Sequence, residues 1–158
     1  MSEDDLRIAI LKELQISMKG LKPYLMLNPY LKPFIIDNER RIVDFLLYSR
    51  DIGRLIPIYL KFGDVHIDDI EWMKINIRIL DKYKTIEEDN NIIGIILCVM
   101  DNRHHVELVR LEQKNGFISK YLIDLPLKQI FNRQLKNAVR NARKQLASDK
   151  GSGENNED

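Results

Sequence analysis

The sequence predicts an α/β domain in which helices flank a mixed β-sheet, and three observations carry that prediction. Residues 3–19 and 128–146 repeat apolar side chains at 3–4 spacing, the period of a helix docking one face on a core. Between them lie "RRIVDFLLYS", "RLIPIYLKF" and "NNIIGIILCVM", whose length and β-branching read as strands. A third helical pattern, 66–84, separates the second run from the third. Helix, strands, helix, strands, helix is the order of an α/β or α+β sandwich around a mixed sheet.

Taken in order, the first helix sets Leu6, Ile10, Leu14 and Met18 on one stripe. Ser2 is its N-cap before Glu3, Asp4 and Asp5, and Gly20 is its stop. "LKPYLMLNPYLKPF" holds Pro23, Pro29 and Pro33, so a loop or irregular edge segment is expected. Two strands follow, at 40–49 and 54–62, joined by "RDIG" as a tight turn on Gly53. The helix of 66–84 docks through Ile70, Met73, Ile77 and Leu80. "NNIIGIILCVM" is an unbroken apolar run, as a central strand covered on both faces should be. "HVELVRLE" alternates more openly and reads as an outer strand, with "GFISKYLI" as one more. The last helix, 128–146, buries Phe131, Leu135, Ala138, Ala142 and Leu146.

A chain of 158 residues suffices for one domain with a real core and not comfortably for two. The expected domain is 1–148, followed by a disordered acidic tail at 149–158, "DKGSGENNED". Apolar content of 44% and charged content of 31% are those of an ordinary globular protein. A formal net charge of +1 gives no global attraction to nucleic acid or membrane, so any such attraction must come from local clustering. The single cysteine, Cys98, cannot form an internal disulfide and reads as a small buried apolar residue. "MSEDDLRIAI" lacks the layout of a signal peptide, and no apolar run approaches the ~20 residues that cross a bilayer. These features point to the cytoplasm and to no membrane partner.

The hairpin poses a problem of charge. Asp44 and Lys61 sit inside its apolar runs, where an unpaired charge costs several kcal/mol. An acid in one strand, a lysine late in the next, then a helix resembles the PD-(D/E)XK, restriction-endonuclease-like nuclease fold. In that family an Asp and a Glu/Asp-x-Lys strand hold a divalent metal and activate a water. A phosphodiester is already negative, so its hydrolysis calls for metal charge and a deprotonated water beside it. "VDFLLYSR", "IPIYLKFG", "IIGIILCVMDNRHHVE" and "SKYLIDLP" are similar to stretches of one branch, the YhcG-like nucleases, over roughly 40–146. The resemblance implies that the separate N-terminal region of full-length members is absent from this chain.

Carried over by position, Asp44 is the first metal carboxylate and Lys61 the catalytic lysine, while the second carboxylate position holds Tyr59. Tyrosine is neutral near pH 7 and a poor ligand for magnesium. The branch's "G-Q-M" is here "EWM", with Trp72 at the glutamine position. Asp44 and Lys61 are therefore read as vestigial, satisfying each other with the Tyr59 hydroxyl as a further partner. An acid relocated to Glu71 or Asp64 is the route back to a working metal site; otherwise Glu71 is a solvated helix residue. Magnesium or manganese belongs to that active case, and no cofactor to the degenerate one. His104 and His105 point apart along a strand and read as surface residues, and Trp72 as core.

The last helix carries Lys128, Arg133, Lys136, Arg140, Arg143 and Lys144 with no acid between 128 and 146. Such a face can follow a phosphate backbone, Arg133, Lys136, Arg140, Arg143 and Lys144 being the contact residues. The expected function is a catalytically impaired nuclease-like domain that binds nucleic acid or serves as a structural part of an assembly, homodimeric or with another partner. An active metal-dependent DNA endonuclease and a protein-interaction module are the alternatives.

Overall fold

The apolar stripe of the first helix forms α1 (Glu3–Lys19), with the Ser2 hydroxyl accepting from the Asp5 N–H at 3.1 Å and the Asp5 carboxylate returning to the Ser2 N–H. Both contacts satisfy N–H groups that a helix start leaves open. In the computed structural model, which describes residues 2–21, 24–26, 34–36, 39–41, 43–83, 92–101, 103–111 and 120–156, α1 is followed by β1 (Tyr24–Met26), β2 (Phe34–Ile36), β3 (Glu39–Arg41), β4 (Phe45–Ser49) and β5 (Arg54–Phe62). Then come α2 (Ile67–Tyr83), β6 (Gly94–Val99) and β7 (His104–Val109). A π-helical turn at Lys120–Asp124 leads into α3 (Leu125–Asn156).

Five strands form one mixed sheet in the order β1-β4-β5-β6-β7. The β5–β6 pair is parallel, with α2 as its crossover, and the other pairs are antiparallel. Side chains alternate across the sheet. Phe45, Leu47, Ile56, Ile58, Leu60, Ile95, Leu97, Val99 and Val106 point to one face, under α1 and α3. Ile96, Cys98 and Val109 point to the other, under Met73 and Ile77 of α2, with Tyr59, Ile70, Trp72 and Leu80 at its margin. Every residue of β6 is buried, as a strand covered on both faces requires, whereas β7 forms an edge.

Several expectations change. The expected strand 40–49 is two strands. Glu39–Arg41 pairs with Phe34–Ile36 in a separate two-stranded sheet, and β4 begins only at Phe45. The chain bends at Asp44, whose carboxylate needs hydrogen-bond donors that a regular ladder position would not supply. Of the proline-rich segment, Tyr24–Met26 forms the edge strand β1, while Pro23, Pro29 and Pro33 lie outside the described residues. "GFISKYLI" is not a strand where it is described, because Lys120–Asp124 is helical. Short apolar runs are ambiguous by periodicity, and Pro126, near the start of α3, suits a helix opening. The backbone of α3 continues helically to Asn156, into the stretch expected to be a disordered tail. Extending an existing helix needs no new nucleus, and each glycine costs only about 1 kcal/mol.

Gly94, where β6 begins, fixes how closely α2 lies on the sheet. A Cβ there would stand 2.5 Å from Met73 Cγ and 2.7 Å from its sulfur. Gly94→Ala should destabilise the fold by about 1–3 kcal/mol, measured by urea unfolding, with Gly20→Ala nearly neutral as the open-site control.

Candidate functional site

Asp44 stands where β4 meets β5, and it is only 7% exposed. Its backbone N–H donates to the Ile58 carbonyl at 2.8 Å, one step beyond the Phe45–Ile58 partnership, so Asp44 faces Tyr59 across the ladder. Its Oδ2 accepts from the Leu60 N–H at 2.7 Å and from Arg7 of α1 at 2.8 Å. The same guanidinium donates to the Leu60 carbonyl at 2.5 Å and lies over the Tyr59 ring, 5.2 Å from its centroid. Tyr59 in turn packs at 4.7 Å, tilted, on Trp72 of α2. Burial pushes the Asp44 carboxyl above its usual range, against the opposing pull of Arg7 and the Leu60 N–H.

Asp44 and Lys61 thus do not satisfy each other. Lys61 reaches Asp69 at the start of α2, with Nζ 2.8 Å from Oδ2, and that oxygen also accepts from the His66 N–H at 2.8 Å. The hydrogen bond to Asp69 raises the Lys61 ammonium pKa. Burial would raise the Asp69 carboxyl, but Lys61 and the His66 N–H together bring it below its usual value. Strand alternation alone does not explain the separation, since Asp44 lies opposite Tyr59 in the ladder. Tyr59 and Lys61 both face α2, but Arg7 comes round the Leu60 backbone to claim Asp44 first.

The candidate relocated acids lie elsewhere. Glu71 is 54% exposed and faces Lys74 at 3.5 Å, and Asp64 is 65% exposed beside Arg103 at 3.7 Å. Asp69 and Arg7 are the site residues that sequence reasoning missed, and each had a signal. Asp69 is one helical turn before the buried Met73, on the line that faces the sheet, whereas Glu71 is two residues off it. Arg7 extends backward the spacing of the buried Leu11, Leu14 and Met18, so a charge there had to enter the core margin.

These residues do not fit a divalent metal. Such an ion prefers several carboxylate and water oxygens. Asp44 Oδ2 is already held by a guanidinium and a backbone N–H, the neighbouring position is a phenol, and Asp69 is tied to Lys61. Among the described residues, no three His, Cys, Asp or Glu gather into a group that could hold an ion.

On α3, Lys128, Arg133, Lys136, Arg140 and Lys144 are exposed, as a solvent-facing basic face requires, while Arg143 is half-buried. Arg143 follows the buried Ala142 and lies one turn from the buried Val139, so it flanks the docking stripe. There it lines a cavity of about 510 Å3 with Ser2, Leu6, Phe62 and Asp101. His105 is on the surface, bonded to Glu107 at 2.6 Å, but His104 is half-buried beneath α3 and is not an ordinary surface histidine. Cys98 is fully buried, and burial pushes its thiol up to about 11. No helix among the described residues is long and apolar enough to cross a membrane.

By comparison of sequence with known families, the chain falls within one of them. The model of the YhcG PDDEXK nuclease domain matches residues 1–139. The chain belongs to that family. The match begins at residue 1, so α1 and Arg7 lie inside the YhcG PDDEXK domain and not before it. No curated protein matches the chain. The crystal structure of SSO0001 is similar over 73% of this chain and 55% of its own, at 12% identity and a TM-score of 0.43. The chain thus spans little more than half of that protein.

Removing Arg7 should leave Asp44 as an uncompensated buried acid. Arg7→Ala is expected to cost about 3 kcal/mol near neutral pH by urea unfolding. Because the folded Asp44 carboxyl titrates above its unfolded value, its neutral form favours the native state, and that advantage fades as pH rises through the folded pKa. Loss of Arg7 raises the folded pKa further. The gap between wild type and variant should therefore widen as pH rises through the wild-type folded pKa of Asp44. Arg7→Ala combined with Asp44→Asn should remove most of that pH dependence.

Proposed function

We propose that this YhcG-type PDDEXK domain binds nucleic acid through α3 and does not hydrolyse it, its former catalytic end serving as a structural clasp. One observation supports this above the rest: a guanidinium, Arg7, lies on Asp44 where the family's chemistry calls for a metal ion, with Tyr59 in place of the second acid. An arginine side chain supplies fixed positive charge but cannot lower the pKa of a bound water as a metal does. Lys61, held by Asp69, is kept protonated and unable to serve as a base.

The binding half of the proposal draws on the exposed Arg133, Lys136, Arg140 and Lys144, opposite the stripe that docks α3. Cations in one arc meet successive phosphates, and each phosphate neutralised contributes close to one unit to the slope of log affinity against log salt. The contacts would be to backbone, so sequence preference should be weak.

Two measurements test the proposal. Plasmid or single-stranded DNA incubated with magnesium or manganese should remain uncut above the buffer control. Cleavage that disappears in Asp44→Ala would restore the metal-dependent endonuclease reading. In fluorescence anisotropy, the Arg133→Gln/Lys136→Gln/Arg140→Gln variant should lower the salt slope by about 2–3 and weaken binding on all sequences alike. No binding of DNA or RNA by the wild-type chain even at ~50 mM salt would leave a protein-interaction module as the better reading.

A further inference from the structure

Where β7 runs beside α3, a groove of about 270 Å3 is lined by His104, His105, Val106, Lys128, Gln129 and Asn132. The Lys128 ammonium and the Gln129 and Asn132 amides are hydrogen-bond donors, and no acid is among the lining residues. His105 turns its ring to the opposite face of the sheet, onto Glu107. His104 stays on the α3 side, and its Nδ1 is buried with no hydrogen-bond partner among the described residues. A buried ring nitrogen without a partner is costly, and the groove beside it offers a cation and amide donors but no anionic acceptor of its own.

From this geometry we propose that the β7–α3 groove holds a phosphodiester group of a nucleic-acid strand, with Lys128, Gln129 and Asn132 as donors and His104 taking up a proton from solvent as the group binds. The proposal rests on the nucleic-acid reading of α3, but it adds a site apart from the outer arc of Arg133 and Arg140. No bond of the phosphodiester is made or broken.

The charges around His104 give the site its sign. Burial first, then Arg143 and Lys136, hold the free imidazole below its ordinary value. Those two cations face it from α3, with Lys128 along the groove. Its register partner on β6 is the apolar Val99, and Glu107 is on the far face. A phosphodiester is anionic throughout the range in which histidine titrates. Seated there, it offsets the repulsion from Arg143 and Lys136 and favours the imidazolium. The His104 pKa in the complex then lies above that of the free chain. The added affinity is complete below the free pKa and disappears as pH rises through the bound one.

The His104 ring resonances of the full chain, followed by NMR across pH, test this directly. The probes are dimethyl phosphate and a short single-stranded DNA. Both should move the His104 midpoint upward by about half a unit, which corresponds to about threefold tighter binding on the acid side. His104→Gln should keep the high-pH affinity and lose the acid-side gain. Lys128→Gln, an exposed change, should shrink the response of His104 to either probe. An unmoved His104 midpoint with both probes overturns the groove as a phosphodiester site, and salt-dependent DNA binding in that same sample would leave the α3 reading intact. A shift with dimethyl phosphate but no DNA binding would overturn the proposed occupant and the α3 reading together.

Discussion

The Asp44 carboxylate is the fastening on which this arrangement depends. One oxygen joins three parts of the chain: its own strand end, the Leu60 N–H in the middle of β5, and Arg7 on α1. Arg7 then grips the Leu60 carbonyl, so both backbone polar groups of one residue, Leu60, are occupied by one ion pair. Buried acids usually cost stability unless charge and hydrogen bonds are both supplied, and both are supplied here. The contact sets how α1 lies along the sheet, and so where Leu6, Ile10, Leu14 and Met18 enter the core. It also sets what this end of the sheet can bind, because the same oxygen cannot face an arginine and a metal ion at once.

The parts of this fold governed by local rules were legible in the sequence. The capped α1, the turn on Gly53, the docking stripe of α2 and the fully buried β6 follow from periodicity and cap chemistry, and they stand within a residue or two of where those rules put them, except that β6 starts at Gly94 and leaves the polar head of its run, Asn90 and Asn91, outside the described residues. The family itself was legible from the resemblance of stretches such as "VDFLLYSR" and "IGIILC", and its model matches residues 1–139. The partners of Asp44 and Lys61 were not. Pairing between charges depends on which helix reaches the sheet first in space, and strand parity says only which face a side chain is on. Arg7 and Asp69 showed themselves only as charges on otherwise apolar lines, a weak signal beside a lysine and an aspartate in one hairpin. The split of the expected strand 40–49 has the same origin, since a bend at Asp44 follows from its hydrogen bonds and not from strand propensity.

The two faces of the sheet are stabilised in different ways. Under α2 the contact is close and sulfur-rich, with Met73 against Gly94 and Cys98 nearby, and its rim carries the Tyr59–Trp72 pair. Methionine tolerates such irregular space better than branched side chains do. Under α1 and α3 the contact is broader and aliphatic, closed at one corner by Phe131 meeting Tyr24 edge-on at 5.8 Å. At the other end of β7, Arg110 forms a forked pair with Asp124, which ties the π-helical turn to the sheet and gives α3 its starting point.

The packing of α1 on α3 has a consequence for how the chain reaches this state. The two helices lie side by side although one spans residues 3–19 and the other starts at 125. The β5–α2–β6 crossover can close on its own, through neighbours in sequence, but the opposite face cannot. Ile58, Leu60, Ile95 and Leu97 have at most α1 to cover them there until α3 has been synthesised. Closing so long a loop makes folding slow, because its entropy must be lost before its contacts form. During synthesis this aliphatic face is thus the last to be shielded and the first to be offered to a chaperone or to another unfinished chain.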